Sequence, residues 1–124
     1  MNVRASKAVE LQRRLISFAA KILAVCSKLH RTSEGRHIAN QILRSGTATA
    51  ANYGEARGAE SRSDFIHKLR IVLKELNETA VWLQLIDETS LLSAELIRPI
   101  LAENQELCRI IAASIKTARI AEIE

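Results

Sequence analysis

Two pairs of side chains in this sequence have a spacing that could hold a metal ion. Glu34 stands three residues before His37, and Asp64 stands three residues before His67. Metal sites inside helical bundles use a carboxylate and a histidine at this spacing. However, we place each pair in the first turn of its own helix, and consecutive antiparallel helices begin at opposite ends of a bundle. The pairs should then lie roughly 30 Å apart, so we predict no metal site and no cofactor, with the acidic residues complementing the helix dipoles.

The neighbouring glutamates Glu75 and Glu78 are the other candidates for acid chemistry. Glu78 can pair with Lys74 one helical turn before it. Alternatively, one of the glutamates points inward and is held by Arg44, whose planar guanidinium binds carboxylates in a two-pronged geometry. We favour a structural ion pair over a catalytic acid. The sequence contains no glycine-rich phosphate loop, no Cys/His metal spacing and no nucleophile that pairs with a particular base, so it predicts no catalytic residue and a protein that is not an enzyme.

Basic residues recur at every seventh position near the start of the chain, at Lys7, Arg14, Lys21 and Lys28. Seven residues make almost two helical turns, so these side chains form one stripe along a helix. Residues 1–31 hold seven Lys or Arg against one acidic residue, Glu10, and the formal net charge of the chain is +4. Such a stripe attracts phosphate backbones, anionic lipid or an acidic partner, and it is also what a solvated helix face looks like. We predict that the stripe and its basic neighbours bind the backbone of RNA or DNA, through Arg4, Lys7, Arg13, Arg14, Lys21, Lys28 and Arg31.

The composition indicates one all-α domain. The chain has 124 residues, of which 48% are hydrophobic and only 3% aromatic, and it contains a single proline. Ala and Leu favour helices, whereas strands are enriched in aromatic residues. Hydrophobic periodicity and capping residues predict four helices, at about 5–29, 33–56, 63–87 and 94–121. Because the connections are short, we predict an antiparallel up-down four-helix bundle.

The helices carry more apolar surface than one bundle needs. The first helix has a core seam at alternating three- and four-residue steps, formed by Ala8, Leu11, Leu15, Phe18, Ile22, Val25 and Leu29. Further apolar residues of helices one and three lie outside such seams: Val9, Ile16, Leu23, Ile66, Leu73 and Trp82. Exposed apolar patches of more than a few hundred Å² usually mark an interface. We therefore expect a homo-oligomer, with a structural adaptor that docks a protein partner through apolar surface as the alternative to nucleic-acid binding.

Several residues mark the ends and joints of the helices. Candidate capping residues are Thr32 or Ser33 for the second helix, Ser61 or Ser63 for the third and Ser93 for the fourth. A run of small residues from Ser45 to Ala51, which includes Gly46, would let another helix approach closely. Asn104 falls in the apolar seam of the fourth helix, where it either finds a specific partner or faces solvent in a rotated helix. Pro99 should kink that helix or delay its start to about Arg98.

Two cysteines, Cys26 and Cys108, fall on or beside apolar helix faces. Nothing else in the sequence is typical of a secreted protein, because no apolar signal segment opens the chain. We interpret both thiols as small buried hydrophobic groups of a reduced, cytoplasmic protein. No uncharged apolar run approaches the roughly 20 residues that span a bilayer, so we expect no membrane partner.

The middle of the chain resembles a known family of bacterial proteins. The residues that carry the resemblance are Gln41-Ile42-Leu43-Arg44-Ser45, Ala51-Asn52-Tyr53-Gly54-Glu55, Ser63-Asp64-Phe65-Ile66, Leu73-Lys74-Glu75-Leu76-Asn77-Glu78-Thr79 and Trp82-Leu83. In order and spacing they resemble the four-helix-bundle proteins named after the intervening sequences of 23S ribosomal RNA genes, over roughly residues 8 to 118. The stretch 52–56 departs from the family's Asn-Ile-Ala-Glu-Gly, which puts the turn geometry after the second helix in question.

This resemblance implies a left-handed antiparallel bundle that closes into rings, typically pentamers. The family is also similar to the accessory proteins of diversity-generating retroelements, which bind nucleic acid and a reverse transcriptase. The resemblance supplies no active site. It adds a reverse transcriptase to the expected partners, and we expect the polar residues that serve structure to be Arg44, Asn52, Glu75, Glu78 and Asn104.

Overall fold

The protein is all-α in the part of the chain that the structure, a computed structural model, describes: the backbone of residues 3–123 and the side chains of residues 6–121. Four helices follow one another, α1 (Val3–Ser27), α2 (Ser33–Arg57), α3 (Arg62–Glu88) and α4 (Ala94–Ile123). Residues 3–123 include no β-strand. None of the described helices is both long enough and apolar enough to cross a membrane.

Side-chain caps begin three of the helices. The Thr32 hydroxyl accepts a hydrogen bond from the backbone N–H of Gly35 at 2.9 Å, and the Ser61 hydroxyl accepts one from Asp64 at 3.0 Å. The Ser93 hydroxyl accepts one from the N–H of Leu96 at 3.3 Å. Each cap satisfies an N–H group that has no partner inside its helix. These contacts select Thr32 over Ser33 and Ser61 over Ser63.

Helix α4 begins at Ala94 and continues through Pro99. The alternative of a start delayed to Arg98 is therefore wrong. Ser93 fixes the earlier start, because its carbonyl also accepts hydrogen bonds from Leu96 and Ile97, each at 3.1 Å. Proline removes the hydrogen bond to the carbonyl four residues before it. Both Pro99 and Glu95 are exposed, so that carbonyl can bind water.

Helix α2 begins at Ser33 as predicted, and the remaining helix ends differ from the predicted limits by one or two residues. Helix α1 ends at Ser27, and the N–H of Leu29 donates to the carbonyl of Cys26 at 3.1 Å, which tightens the last turn. Helix α2 runs through Gly54 to Arg57, and the N–H of Gly58 donates to the carbonyl of Glu55 at 3.1 Å. The departure from the family's stretch at residues 52–56 thus lies within a continuous helix.

One apolar cluster contributed by all four helices forms the core. The predicted seam of α1 is buried from Leu11 to Leu29, with Ala8 half-buried at its end. The apolar residues placed outside the seams divide into three groups. Val9, Leu73 and Trp82 are half-buried. Ile66 is only 4% exposed and belongs to the core, which corrects its assignment to a surface row. Ile16 and Leu23, at 54% and 52% exposed, do lie on the surface.

Helix α2 approaches its neighbours through its small residues. Gly46 is buried, and a methyl group at its Cα would lie 2.8 Å from Cγ2 of Ile22 on α1. On the α3 side, the hydroxyls of Ser45 and Thr79 lie 2.9 Å apart, and both residues are fully buried. The expected close approach at this run is therefore observed, and it occurs on both sides of α2.

Each helix packs mainly on the next helix in the chain, whereas α1 and α4 touch only slightly. Rising residue numbers on one helix meet falling numbers on the next. Between α1 and α2, Gln12 contacts Arg57 and Ile22 lies near Gly46. The same order holds between α2 and α3, in the pairs Arg44–Glu75 and Glu55–Lys68, and between α3 and α4, in the pairs Leu76–Asn104 and Asp87–Arg98.

Candidate nucleic-acid interface

The predicted basic stripe contains exposed cations and one arginine, Arg14, that is paired with a glutamate. Arg14 donates from Nε and Nη2 to the two carboxylate oxygens of Glu103 on α4, both at 2.8 Å. This two-pronged hydrogen bond lowers the pKa of Glu103 and raises that of Arg14. Neighbouring Lys21 also lowers the pKa of Glu103 through its charge. Arg14 therefore ties α1 to α4, and a phosphate would have to displace Glu103 to bind it.

The remaining stripe residues face solvent. Lys7, Lys21 and Lys28 are exposed and form no ion pair with any described residue. Arg13 lies 3.9 Å from Glu10, but both side chains are about three-quarters exposed, at 74% and 72%, so water and salt screen this pair. The side chain of Arg4 lies outside the described residues. Of the predicted residues whose side chains are described, Lys7, Arg13, Lys21, Lys28 and Arg31 are therefore available to a phosphate.

The stripe ends at a basic cleft. Lys28, His30 and Arg31 line an open cleft of about 390 Å³ together with Leu91 and Leu92 from the connection between α3 and α4. The lining includes no carboxylate. Two predicted residues, Lys28 and Arg31, thus share one concave surface. His30 and the two leucines were not predicted, because an up-down bundle places these two connections at the same end but does not indicate which of their side chains meet.

Local backbone geometry explains how the leucines reach this cleft. At the end of α3 the N–H of Leu91 donates to the carbonyl of Ile86 at 3.2 Å, and that of Ser90 donates to Asp87 at 3.1 Å. This hydrogen-bond pattern is the Schellman motif, which needs a left-handed residue at its turn. Ser90 adopts that conformation with φ of 55°, a position that favours glycine. The other wall is held by Arg36, which donates to the carbonyl of His30 at 3.1 Å.

A second polar cluster joins α2 to α3. Arg44 donates to Glu75 at 3.1 Å and also to Glu78, so it holds both glutamates. The hydrogen bond from Arg44, and a second one from the indole N–H of Trp82 at 3.1 Å, lower the pKa of Glu78. Lys74 forms no ion pair with Glu78, so that alternative is not what the structure shows. Arg44 and Trp82 both donate to this pair of glutamates, so the geometry of the cluster is that of a structural ion pair.

The two asparagines singled out in the sequence bind backbone carbonyls. Asn104 is fully buried, and its side-chain N–H donates to the carbonyl of Leu76 on α3 at 3.1 Å. The solvent-facing alternative for Asn104 is therefore wrong. Asn52 donates to Ala48 on its own helix at 2.9 Å. Asn104 thus fixes how α4 sits on α3, whereas Asn52 acts within α2.

The two cysteines differ in burial. Cys26 is buried, but Cys108 is only half-buried, which corrects the expectation that both are core groups. Both thiols are free, and burial raises the pKa of each.

The histidines of the two carboxylate–histidine pairs, His37 and His67, are exposed. Within the described side chains, no three His, Cys, Asp or Glu residues stand close enough together to hold a metal ion.

Comparison with known proteins bears on the identity of the chain. Residues 7–113 match the family described as 23S rRNA-intervening sequence protein. No curated protein matches the chain. A crystal structure of a protein with unknown function from the S23 ribosomal protein family of Bacteroides thetaiotaomicron superposes with a TM-score of 0.81 and 37% sequence identity, covering 86% of this chain and 98% of that one. The chain belongs to the family of 23S rRNA-intervening sequence proteins.

Proposed function

We propose that this protein is a non-enzymatic, oligomeric four-helix bundle that binds the phosphate backbone of RNA or DNA through the basic side of α1. The observation that carries the proposal is the cleft in which Lys28, His30 and Arg31 converge without a lining carboxylate. Cations that have no acidic partner attract phosphate groups, and they release counterions when they bind them. Exposed Lys21 and Lys7 continue the same surface along the helix.

The reverse order in which successive helices meet supports the rest of the architecture. Rising residue numbers on one helix meet falling numbers on the next, which is the pattern of an antiparallel up-down bundle. We extend this to a left-handed bundle, the geometry of most four-helix bundles. In such a bundle the basic cleft and the N-terminal turns of α1 stand at opposite ends, so Lys7 and Lys28 would contact different parts of one strand. A cytoplasmic location remains a prediction from the sequence, and a reverse transcriptase partner remains a prediction from the resemblance.

Charge reversal at the cleft tests binding. Lys28→Glu combined with Arg31→Glu should weaken binding of a fluorescent single-stranded 20-nucleotide RNA or DNA at least about tenfold in anisotropy titrations. The salt dependence should also become shallower, because each lost phosphate contact reduces the slope of log K against log salt by about 0.7 for single strands.

A control variant with the same net charge distinguishes the effect of the cleft on binding from the effect of the protein's overall charge. Arg70→Glu combined with Lys74→Glu reverses two exposed cations of α3 and should leave most of the affinity intact. The proposal is refuted if the wild-type protein binds neither RNA nor DNA, or if both double variants lose affinity equally. Circular dichroism spectra of the variants should match the wild-type spectrum.

The exposed apolar face of α1 supports the proposal that the protein is an oligomer. Ile16 and Leu23 are seven residues apart, with Ala20 exposed between them, so they form a row that water would otherwise cover. Light scattering coupled to size exclusion should give a multiple of 13.8 kDa, and five copies are expected only from the resemblance. Replacing both Ile16 and Leu23 by Lys should lower the mass. A wild-type monomer at micromolar concentrations would overturn the proposed assembly and favour an adaptor that docks another protein on this face.

A further inference from the structure

A second cleft lies at the other end of α1, about 20 residues or roughly 30 Å along the helix from Lys28. It has a volume of about 460 Å³ and is walled by Ala8 on α1, by Tyr53 and Ala56 on α2, and by Phe65 on α3. The cleft is wide open to solvent, and its volume is comparable with that of small-molecule sites in proteins, about 300–1,000 Å³. The small alanine side chains leave a slot beside the two aromatic residues.

Tyr53 is one of the residues that line this slot. The Tyr53 side chain is only 5% exposed, yet no described residue forms a hydrogen bond with its hydroxyl. Tyr53 lines the cleft, and the described residues contain no fully buried polar side-chain atom without a partner, so we infer that the hydroxyl reaches the cleft surface. Burial raises the pKa of this phenol, and the charge of nearby Arg57 opposes the rise. The hydroxyl is therefore a protonated donor that a ligand can use.

Two arginines stand at the rim of the same cleft. Arg57 donates to the side-chain amide oxygen of Gln12, and neither Arg57 nor Arg62 forms an ion pair with a described carboxylate. The exposed Glu60 and the half-buried Asp64 are close in sequence, but neither lines the cleft. Two guanidinium groups and a phenolic O–H at one rim are the donors that bind a phosphate group.

We propose that this cleft binds a nucleoside monophosphate unit. The phosphate lies on Arg57, Arg62 and the Tyr53 hydroxyl, while the flat base enters the slot beside Phe65. Aromatic side chains stack on bases of any sequence, and the alanine walls of the slot add apolar contact. The same unit occurs as a free nucleotide and as the phosphorylated 5′ end of a strand. This site is separate from the backbone-binding cleft at Lys28, and it stands without the proposed function.

Calorimetric titration of the full chain tests this site with adenosine monophosphate, adenosine and inorganic phosphate as probes. Adenosine monophosphate should bind more tightly than either part alone. Tyr53→Phe removes only the hydroxyl, and Arg62→Gln removes the guanidinium group with its charge while keeping a polar side chain. Each should weaken binding about tenfold or more, since a hydrogen bond to a charged group is lost. Arg70→Gln, an exposed arginine of α3 away from the cleft, should bind as the wild type does.

A second titration separates the two sources of the nucleotide. If a 5′-phosphorylated trinucleotide binds more tightly than its 5′-hydroxyl counterpart, the site is assigned to strand ends. If the two trinucleotides bind equally weakly while the mononucleotide binds tightly, the site is assigned to free nucleotides. The variant that combines Lys28→Glu and Arg31→Glu should retain this binding in either case. The proposal is overturned if neither adenosine monophosphate nor the phosphorylated trinucleotide binds at millimolar concentration, or if Tyr53→Phe and Arg62→Gln both bind as the wild type does.

Discussion

The two sides of α2 and the edge between α1 and α4 hold helices together by different means. On both sides of α2, small residues bring backbones close, with Gly46 against Ile22 and Ser45 against Thr79. At the α1–α4 edge the helices touch only slightly, and Arg14 bridges them to Glu103 from partly exposed positions. Close packing in a dry interior tolerates little change in volume, whereas a bridge that water can reach is worth little. Stability should therefore depend on α2 far more than on the α1–α4 edge.

The largest effect is expected where α2 meets α3. Thr79 has one O–H group and lies 2.8 Å from the carbonyl of Glu75 and 2.9 Å from the Ser45 hydroxyl. Both residues are satisfied if Thr79 donates to Glu75 and Ser45 donates to Thr79. Thr79→Val keeps the shape but leaves the buried Ser45 hydroxyl without its acceptor. It should lower the free energy of unfolding by about 1–3 kcal/mol, measured by urea denaturation.

A double variant checks the cause of that loss. Ser45→Ala combined with Thr79→Val removes both polar groups and should recover most of the stability. If the double variant were less stable than Thr79→Val alone, the loss would come from packing volume rather than from the unsatisfied hydroxyl.

An intermediate effect is expected where α2 meets α1. Gly46→Ala would place a methyl group against the fully buried Ile22. Overpacking costs about 1–3 kcal/mol, and alanine's better helix propensity returns about 1 kcal/mol, so a net loss of about 1 kcal/mol is expected. Gly54→Ala is the matched control, because its methyl group would meet only the end of the Gln12 side chain, at 3.3 Å. That variant should be up to about 1 kcal/mol more stable than the wild type. Equal changes at the two glycines would contradict the close approach of α1 to Gly46.

The smallest effect is expected at the α1–α4 edge. Glu103→Gln should lower the free energy of unfolding by about 1 kcal/mol or less at pH 7, since both partners are partly exposed. Glu106→Gln, which breaks the exposed pair with Arg109 on the same helix, is the control and should have almost no effect. A loss at Glu103 larger than that at Thr79 would reverse the comparison between the two regions.

The effect at Glu103 should also depend on pH. The hydrogen bond from Arg14 lowers the pKa of Glu103 in the folded state, below its value of about 4.3 in an unfolded chain. The stabilisation is therefore fully present above that unfolded value, and it is lost as the pH falls through the lower folded value. Thermal melts of the wild type and Glu103→Gln should differ at pH 7 and converge at strongly acidic pH. A difference that persists unchanged at low pH would show that the loss does not come from the ionised carboxylate.

The sequence by itself determined the helices. Four helices, the capping role of Ser93 and the α1 seam from Leu11 to Leu29 follow from local rules, because caps and the spacing of apolar residues act within a single helix. The small-residue run around Gly46 was also interpretable, since the absence of side chains permits close approach whatever the neighbour. The pairing of Arg44 with a glutamate was predicted as one alternative, but its hold on both glutamates was not.

Only the tertiary structure decided which charges remain available. Lys7 and Arg14 have equivalent places in the seven-residue repeat, yet Arg14 meets Glu103, 89 residues later, and Lys7 meets no described carboxylate. The basic cleft and the Tyr53 cleft both arise where connections and helix ends from separate parts of the chain come together. No periodicity within one helix carries that information, because the partner of a charged side chain at the margin of a helix is set by the neighbouring helix. The sequence therefore fixes where a helix is basic, and the packing of the bundle determines which of its cations a phosphate can reach.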